Sequence, residues 1–220
     1  NNHEQFVEDT LKSTDAAFKI CMWHKTQRTM QPGDKSDETG WGIYETCREQ
    51  GAIVMTAHEH SYSRTHLLSN FEKRTVVNND SIMVVEPGHS FATVTGLGGK
   101  EERPEVTEDS FWRKIQDKFT GRETPPVKNG PWFAKIYTGT QKAKAGAVFC
   151  TFNIDNNPRK AHCVFKNIAN EIVDEYTLIS KTGPGVTVGL REKIDAPDPK
   201  GDSDDDEAES MKLFMPDGSD

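Results

Sequence analysis

Phe18-Lys19-Ile20-Cys21-Met22-Trp23-His24-Lys25 and Ala52-Ile53-Val54-Met55-Thr56-Ala57-His58-Glu59-His60 each read as an apolar strand that runs out into histidine. Between them, Gly42 to Gln50 reads as a short helix, with Ile43 and Cys47 four apart and Gly51 as its stop. Strands joined through a helix lie parallel in one sheet, so their carboxyl ends meet on one edge. Ligands of open α/β sheets bind beyond that edge. His24, His58 and His60 are therefore expected to converge there, and neutral imidazole is a good ligand for zinc, iron or manganese. The His-x-His pair calls for a loop, because a flat strand would turn both rings to one face whereas a turn aims them at two adjacent ions. A lone histidine after a strand is more often an ordinary surface or core residue. Two such strands joined by a helix make the three imidazoles candidate metal ligands.

Outward from this unit, Asn2 is placed to cap a first helix with Gln5 reciprocating, and Phe6, Val7, Thr10 and Leu11 form its inward stripe. Lys25 to Gly40 is polar and reads as a loop on the active edge, with a turn at Pro32-Gly33-Asp34. Ile82 to Val85 and Phe91 to Thr95 read as strands, followed by Gly96-Leu97-Gly98-Gly99. Phe111, Trp112, Ile115 and Phe119 mark an amphipathic helix, with a loop from Thr124 to Pro131. Runs 147–154 and 161–166 flank the turn signal Asp155-Asn156-Asn157-Pro158 and place Cys150 nearly opposite Cys163. A disulfide and a pair of buried thiols both fit that placement. A strand near Glu171 to Ile179 closes the folded part, so the class is α/β with a mixed sheet.

Composition narrows the function. Residues 1–194 read as one partial domain and 195–220 as an acidic, disordered tail. From Asp195 onward ten acidic residues face only Lys200 and Lys212, so the tail carries the whole formal charge of −8 and the body is neutral. A neutral body offers no electrostatic reason to bind nucleic acid or an anionic membrane, and no apolar stretch reaches the length of a span. The four cysteines have no C-x-x-C spacing, Gly96–Lys100 lacks the Walker pattern, and no G-x-S-x-G is present. His89, in Glu86-Pro87-Gly88-His89, fits a structural turn better than the active edge. Asn79-Asp80-Ser81 is a glycosylation sequon that matters only in a secreted protein.

Met22-Trp23-His24-Lys25 resembles the strand-ending histidine motif of calcineurin-like metallophosphoesterases, and Ala57-His58-Glu59-His60 resembles their glycine–histidine–any–histidine motif. The extension Ser61-Tyr62-Ser63-Arg64 resembles the purple acid phosphatase branch, as does Gly96-Leu97-Gly98-Gly99-Lys100. The resemblance spans roughly Gln5 to Lys100. It implies the C-terminal part of an α/β/β/α sandwich with a mixed sheet. It also implies two divalent or trivalent ions (iron, zinc or manganese) and hydrolysis of a phosphomonoester or phosphodiester. His24 and His58 would hold one ion and His60 its neighbour. The setting it implies is secreted or vacuolar.

Ala57 stands where the family has glycine, which matters only if the backbone there needs positive φ. The family's earlier motifs carry an aspartate and histidine, a bridging aspartate and an asparagine–histidine pair. They precede the strand ending in His24, and only twenty-three residues do so here. Asn2-His3-Glu4 is similar to the end of the asparagine–histidine motif, and a helix cap accounts for it equally well. Three neutral imidazoles alone cannot offset the repulsion between two dications. The expected partner is thus the missing N-terminal half of the same domain. This chain alone is expected to be incomplete as an enzyme and, with an uncovered apolar face, prone to aggregate. Two other readings stay open: a non-catalytic metal- or partner-binding remnant of the fold, and a structural domain with ordinary loop histidines.

Overall fold

Strands β1 (Ile20–Met22) and β2 (Ile53–Thr56) pair in parallel, Cys21 opposite Val54, in a computed structural model that describes residues 2–33, 35–105 and 130–183. Helices α1 (Asn2–Lys12) and α2 (Trp41–Glu49) precede and link them. The strand–helix–strand unit read from the sequence is therefore present. The chain divides into a unit from Asn1 to Thr187 and a second from Val188 to Asp220; the second, like the acidic tail and the helix expected at 111–119, lies outside the described residues.

Seven more strands continue after β2: β3 (Tyr62–Thr65), β4 (Leu67–Asn70), β5 (Thr75–Asn78), β6 (Ile82–Val85), β7 (Ala92–Thr95), β8 (Phe133–Tyr137) and β9 (Gly146–Phe152). Then come β10 (Lys160–Asn167) and β11 (Ile172–Ser180). One mixed sheet has the order β1-β2-β7-β3-β8, and a second has the order β6-β11-β10-β9; β4 and β5 form a separate hairpin. In the first sheet β1, β2 and β7 are parallel, while β3 is antiparallel to both β7 and β8.

Adjacent residues of β2 show how the layers stack. Val54 packs with Leu11, Tyr44 and Cys47 under the two helices, whereas Ile53 packs with Met83, Val85, Cys163 and Leu178 of the second sheet. A strand buried on both faces becomes a continuous apolar run, which is what Ala52 to Met55 is. Helices, first sheet and second sheet are thus three successive layers. Among the described residues no helix covers the outer face of the second sheet, where Phe149 is 57% exposed. Among the described residues, too, no helix is long and apolar enough to cross a membrane.

A buried ion pair ties the two sheets together. Arg64 Nε and Nη2 donate to Asp174 Oδ2 and Oδ1 at 2.7 and 3.0 Å, and the Tyr62 hydroxyl donates to Oδ2 at 2.6 Å. The guanidinium also lies 4.4 Å from the centre of the Tyr176 ring. Tyr62 and Arg64 are on β3 and Asp174 on β11, so the Ser61–Arg64 extension acts here as a clamp between layers. On the hairpin, Cys150 and Cys163 face each other in register and are joined as a disulfide, which settles the alternative the sequence left open.

Two readings of α1 are corrected. Gln5 does not reach back to cap the helix, because its amide donates forward to Asp9 at 2.9 Å. Phe6 is 69% exposed and leaves the inward face to Val7 and Leu11. The polar stretch 25–40 is a loop, as read, with one short 3-10 turn at Arg28–Met30, and part of it is packed down. Gln27, 2% exposed, accepts at Oε1 from the backbone N–H groups of Glu38, Thr39 and Gly40. Met30 and Gln31 are buried beneath it.

Candidate metal centre

Parallel pairing carries on past the ends of β1 and β2. Trp23 N–H donates to Met55 O and Ala57 N–H donates to His24 O, at 3.2 and 3.1 Å. That register sets His24 beside His58. Their rings meet with His24 Nε2 and His58 Nδ1 3.0 Å apart. The other nitrogen of His58, Nε2, faces Glu38 Oε2 at 3.2 Å. That approach is an ion-pair distance without hydrogen-bond geometry, so the hydrogen bond of the pair is the one between the two rings. Glu38 also accepts from Lys25 Nζ at 2.9 Å, and its place follows from the Gln27 amide that gathers residues 38–40.

The His-x-His pair sits in a turn, as its spacing required. His58 has φ 59°, in the left-handed region, whereas Ala57 does not, so alanine in place of glycine there carries no backbone penalty. Glu59 N–H donates to Ala57 O and Ser61 N–H to Glu59 O, which closes the turn around Glu59. His60 Nδ1 lies 2.9 Å from Glu101 O and donates to that carbonyl, leaving Nε2 free. Glu59, between the two histidines, is 1% exposed, with Arg103 Nη1 at 3.5 Å from its carboxylate. Gly96 presses against the same turn: an added Cβ would overlap the Glu59 carbonyl oxygen and sit 2.8 Å from its carbon. Gly96 N–H donates to Ser61 O at 2.9 Å.

The structure thus brings His24 and His58 together, while His60 makes its contact with the Glu101 carbonyl instead. Among the described residues no group of three or more His, Cys, Asp or Glu is arranged to hold a metal ion. The two facing nitrogens could share one ion in place of the proton between them. For both His58 and His60 the second ring nitrogen already faces a carboxylate or carbonyl, the usual outer support of a ligating imidazole. The donor set fits as far as it goes and lacks a carboxylate shared between two ions. A cleft of about 500 Å³ opens beside His24, lined also by His3, Glu4, Trp23, Lys25 and Glu38, so His3 and Glu4 lie beside His24. His89 does not. It precedes β7, at the opposite end of the sheet, and is held by Glu86 at 2.8 Å.

Both turn histidines resist protonation. Burial pushes His58 below the ordinary 6.5, Lys35 adds to it, and Glu38 opposes. For His60 burial is again the first cause, followed by Arg103. A depressed folded value means the unfolded chain takes up protons first, so this contribution to stability is present above about 6.5 and is lost as pH falls below it. We expect ring ¹⁵N chemical shifts of His58 and His60 to titrate with midpoints below 6.5. A midpoint at or above 6.5 for His58 would mean the ring is solvated and does not hold the position described.

No family model matches this sequence, and no curated protein matches it. Among solved structures, the chain is similar to purple acid phosphatase PPD1 from seeds of yellow lupin (Lupinus luteus). The TM-score is 0.55 at 16% identity, over 81% of this chain and 28% of that one. At that identity the likeness is one of fold, and it is to part of that protein's fold. A second similar structure, PhoD, covers 81% of this chain and 31% of its own at 12% identity, with a TM-score of 0.45 that is too low to weigh. The chain spans less than a third of either protein.

Sequence reasoning missed Glu38, Glu59 and Arg103. Glu38 is one acid in a polar run without periodicity, and its proximity to His58 depends on the Gln27 cradle. Glu59 stands between two histidines, where nothing local announces a buried carboxylate.

Proposed function

We propose that this chain is the part of a phosphate-ester hydrolase that contributes His24, His58 and His60 to a centre of two metal ions. The ions would be iron, zinc or manganese, with His24 and His58 on one and His60 on its neighbour. The observation that carries the reading is the 3.0 Å approach of His24 Nε2 to His58 Nδ1 at the carboxyl edge of β1 and β2. When bound, such ions polarise a phosphoryl group and make hydroxide available near neutral pH. Glu38 and the Glu101 carbonyl orient the imidazoles, and Lys25, Lys35, Lys100 and Arg103 give the turn a basic surround suited to a phosphate anion. The remaining ligands, including a shared carboxylate, belong in this reading to an upstream segment of the same domain.

The test has two parts. The 220-residue chain is titrated with Co²⁺ and followed by visible absorption, alongside His24→Ala, His58→Ala and His60→Ala. A longer polypeptide carrying the upstream segment is assayed on p-nitrophenyl phosphate. Binding should be lost in the first two variants. Hydrolysis should fall at least about 100-fold in each, since even outer partners of such ligands matter that much. Hydrolysis that survives all three substitutions would sink the proposal. The absence of a shared carboxylate among the described residues favours one alternative, a non-catalytic metal-binding form of the fold; cobalt binding with no hydrolysis by any longer polypeptide would establish it.

A further inference from the structure

Two cysteines remain outside the hairpin disulfide, Cys21 on β1 and Cys47 on α2. They are far apart in sequence, yet they meet in the same apolar cluster under the helix layer: Cys21 stands opposite Val54 in the sheet, and Val54 and Cys47 belong to that cluster with it. Their exposures differ. Cys21 is partly open on the outermost strand of the first sheet, whereas Cys47 is fully buried. A chain that already holds Cys150–Cys163 as a disulfide is suited to surroundings that supply disulfide donors.

We propose that Cys21 and Cys47 form a second disulfide, joining β1 to α2 by exchange with a small-molecule disulfide such as oxidised glutathione. The exposure difference sets the order. The Cys21 thiolate attacks one sulfur of glutathione disulfide, breaking its S–S bond and releasing one glutathione. Cys47 then loses its proton to solvent and attacks the Cys21 sulfur of the mixed disulfide, expelling the second glutathione. Two protein thiols are oxidised and one glutathione disulfide is reduced to two thiols. The thiol pair supports the order. The nearness of the two thiols lowers Cys21 and raises Cys47, with burial and the charge of Cys21 adding to the rise. Capping Cys21 removes its charge, and with it part of what keeps Cys47 protonated.

The bond would close a ring of chain from Cys21 to Cys47 that contains His24, Glu38 and the Gln27 cradle between them. Oxidation would thus restrain the segment that places two of the candidate site's side chains, whatever that site binds.

The experiment treats the folded chain, hairpin disulfide intact, with oxidised glutathione. Thiols are then blocked with iodoacetamide, and the protein is digested without reduction and mapped by mass spectrometry. Alkylatable thiols should fall from two to none, with the Cys21 and Cys47 peptides joined and two hydrogens lighter than their sum. Cys47→Ala should accumulate glutathione on Cys21, and Cys21→Ser should leave Cys47 unmodified. Three results would overturn the proposal: wild-type Cys21 that keeps glutathione while Cys47 stays free, two thiols that remain alkylatable, or a Cys21 linked to Cys150 or Cys163.

Discussion

Asp174→Ala is expected to cost about 3–5 kcal/mol of folding stability, the usual penalty for stranding one partner of a buried ion pair. Arg64 is 4% exposed and gives two of its hydrogen bonds to this carboxylate, and Tyr62, fully buried, gives its hydroxyl proton to the same group. Removing the carboxylate leaves a guanidinium and a phenol without that acceptor, where β3 faces the second sheet. For a domain of this size the melting temperature should drop by roughly 6–20 °C. Urea unfolding of wild type and variant measures the difference directly, and a loss under about 1 kcal/mol would show that the clamp is not what holds the layers. The combination Arg64→Met, Asp174→Leu and Tyr62→Phe should recover most of the loss, since an apolar replacement of a buried pair is often neutral. Acid should act as the single variant does. Burial raises the Asp174 carboxyl, but the bonds and charge of Arg64 outweigh it and hold it below 3.8. Its contribution is therefore present above the unfolded value and lost as pH falls through the folded one.

Gly96→Ala should cost about 1–3 kcal/mol and displace the histidine turn. The obstacle is space, not dihedral preference, because Gly96 is not among the positive-φ residues. Its new methyl would land on the Glu59 carbonyl, and backbone cannot give way as a long side chain can. Relief requires breaking the Gly96–Ser61 hydrogen bond and moving 58–60 away from the end of β7. Gly98→Ala is the control: it lies two residues on, is exposed and has nothing within 4 Å of an added Cβ, so its effect should stay within about 0.5 kcal/mol. Thermal melts and the His58 and His60 ring resonances together decide the matter. Equal effects of the two substitutions would refute the close approach.

The parts of this fold that the sequence announced are those in which period and burial agree. Ile20 to Met22 and Ile53 to Thr56 are apolar runs with a helix of suitable length between them, so their parallel pairing and the meeting of His24 with His58 were legible. The hairpin around Pro158 was legible as far as its register, and only coordinates decided that its cysteines are bonded. Strand β3 was not. Tyr62, Ser63, Arg64 and Thr65 are all buried although three are polar, because one face meets β11 through Asp174, which lies 110 residues beyond Arg64. Strands β4, β5 and β8 were missed as well; β4 and β5 form a short hairpin whose outward residues Thr75 and Val77 carry no burial signal. The orientation of His60 was equally hidden, since it depends on a carbonyl 41 residues away, at Glu101.

The pairing of β6 with β11 has a kinetic consequence. β6 ends at Val85, and its partner begins at Ile172, with Ile179 opposite Val84. The strand that continues the second sheet from β6 is thus made long after it. During synthesis Met83 and Val85, both buried in the finished structure, must wait uncovered while some ninety further residues emerge. Closing so large a loop before any contact rewards it slows folding and lengthens the time that strand edges stay open to other chains. The vulnerable species for this polypeptide is therefore a nascent one, and the yield of native molecules depends on how quickly β11 arrives.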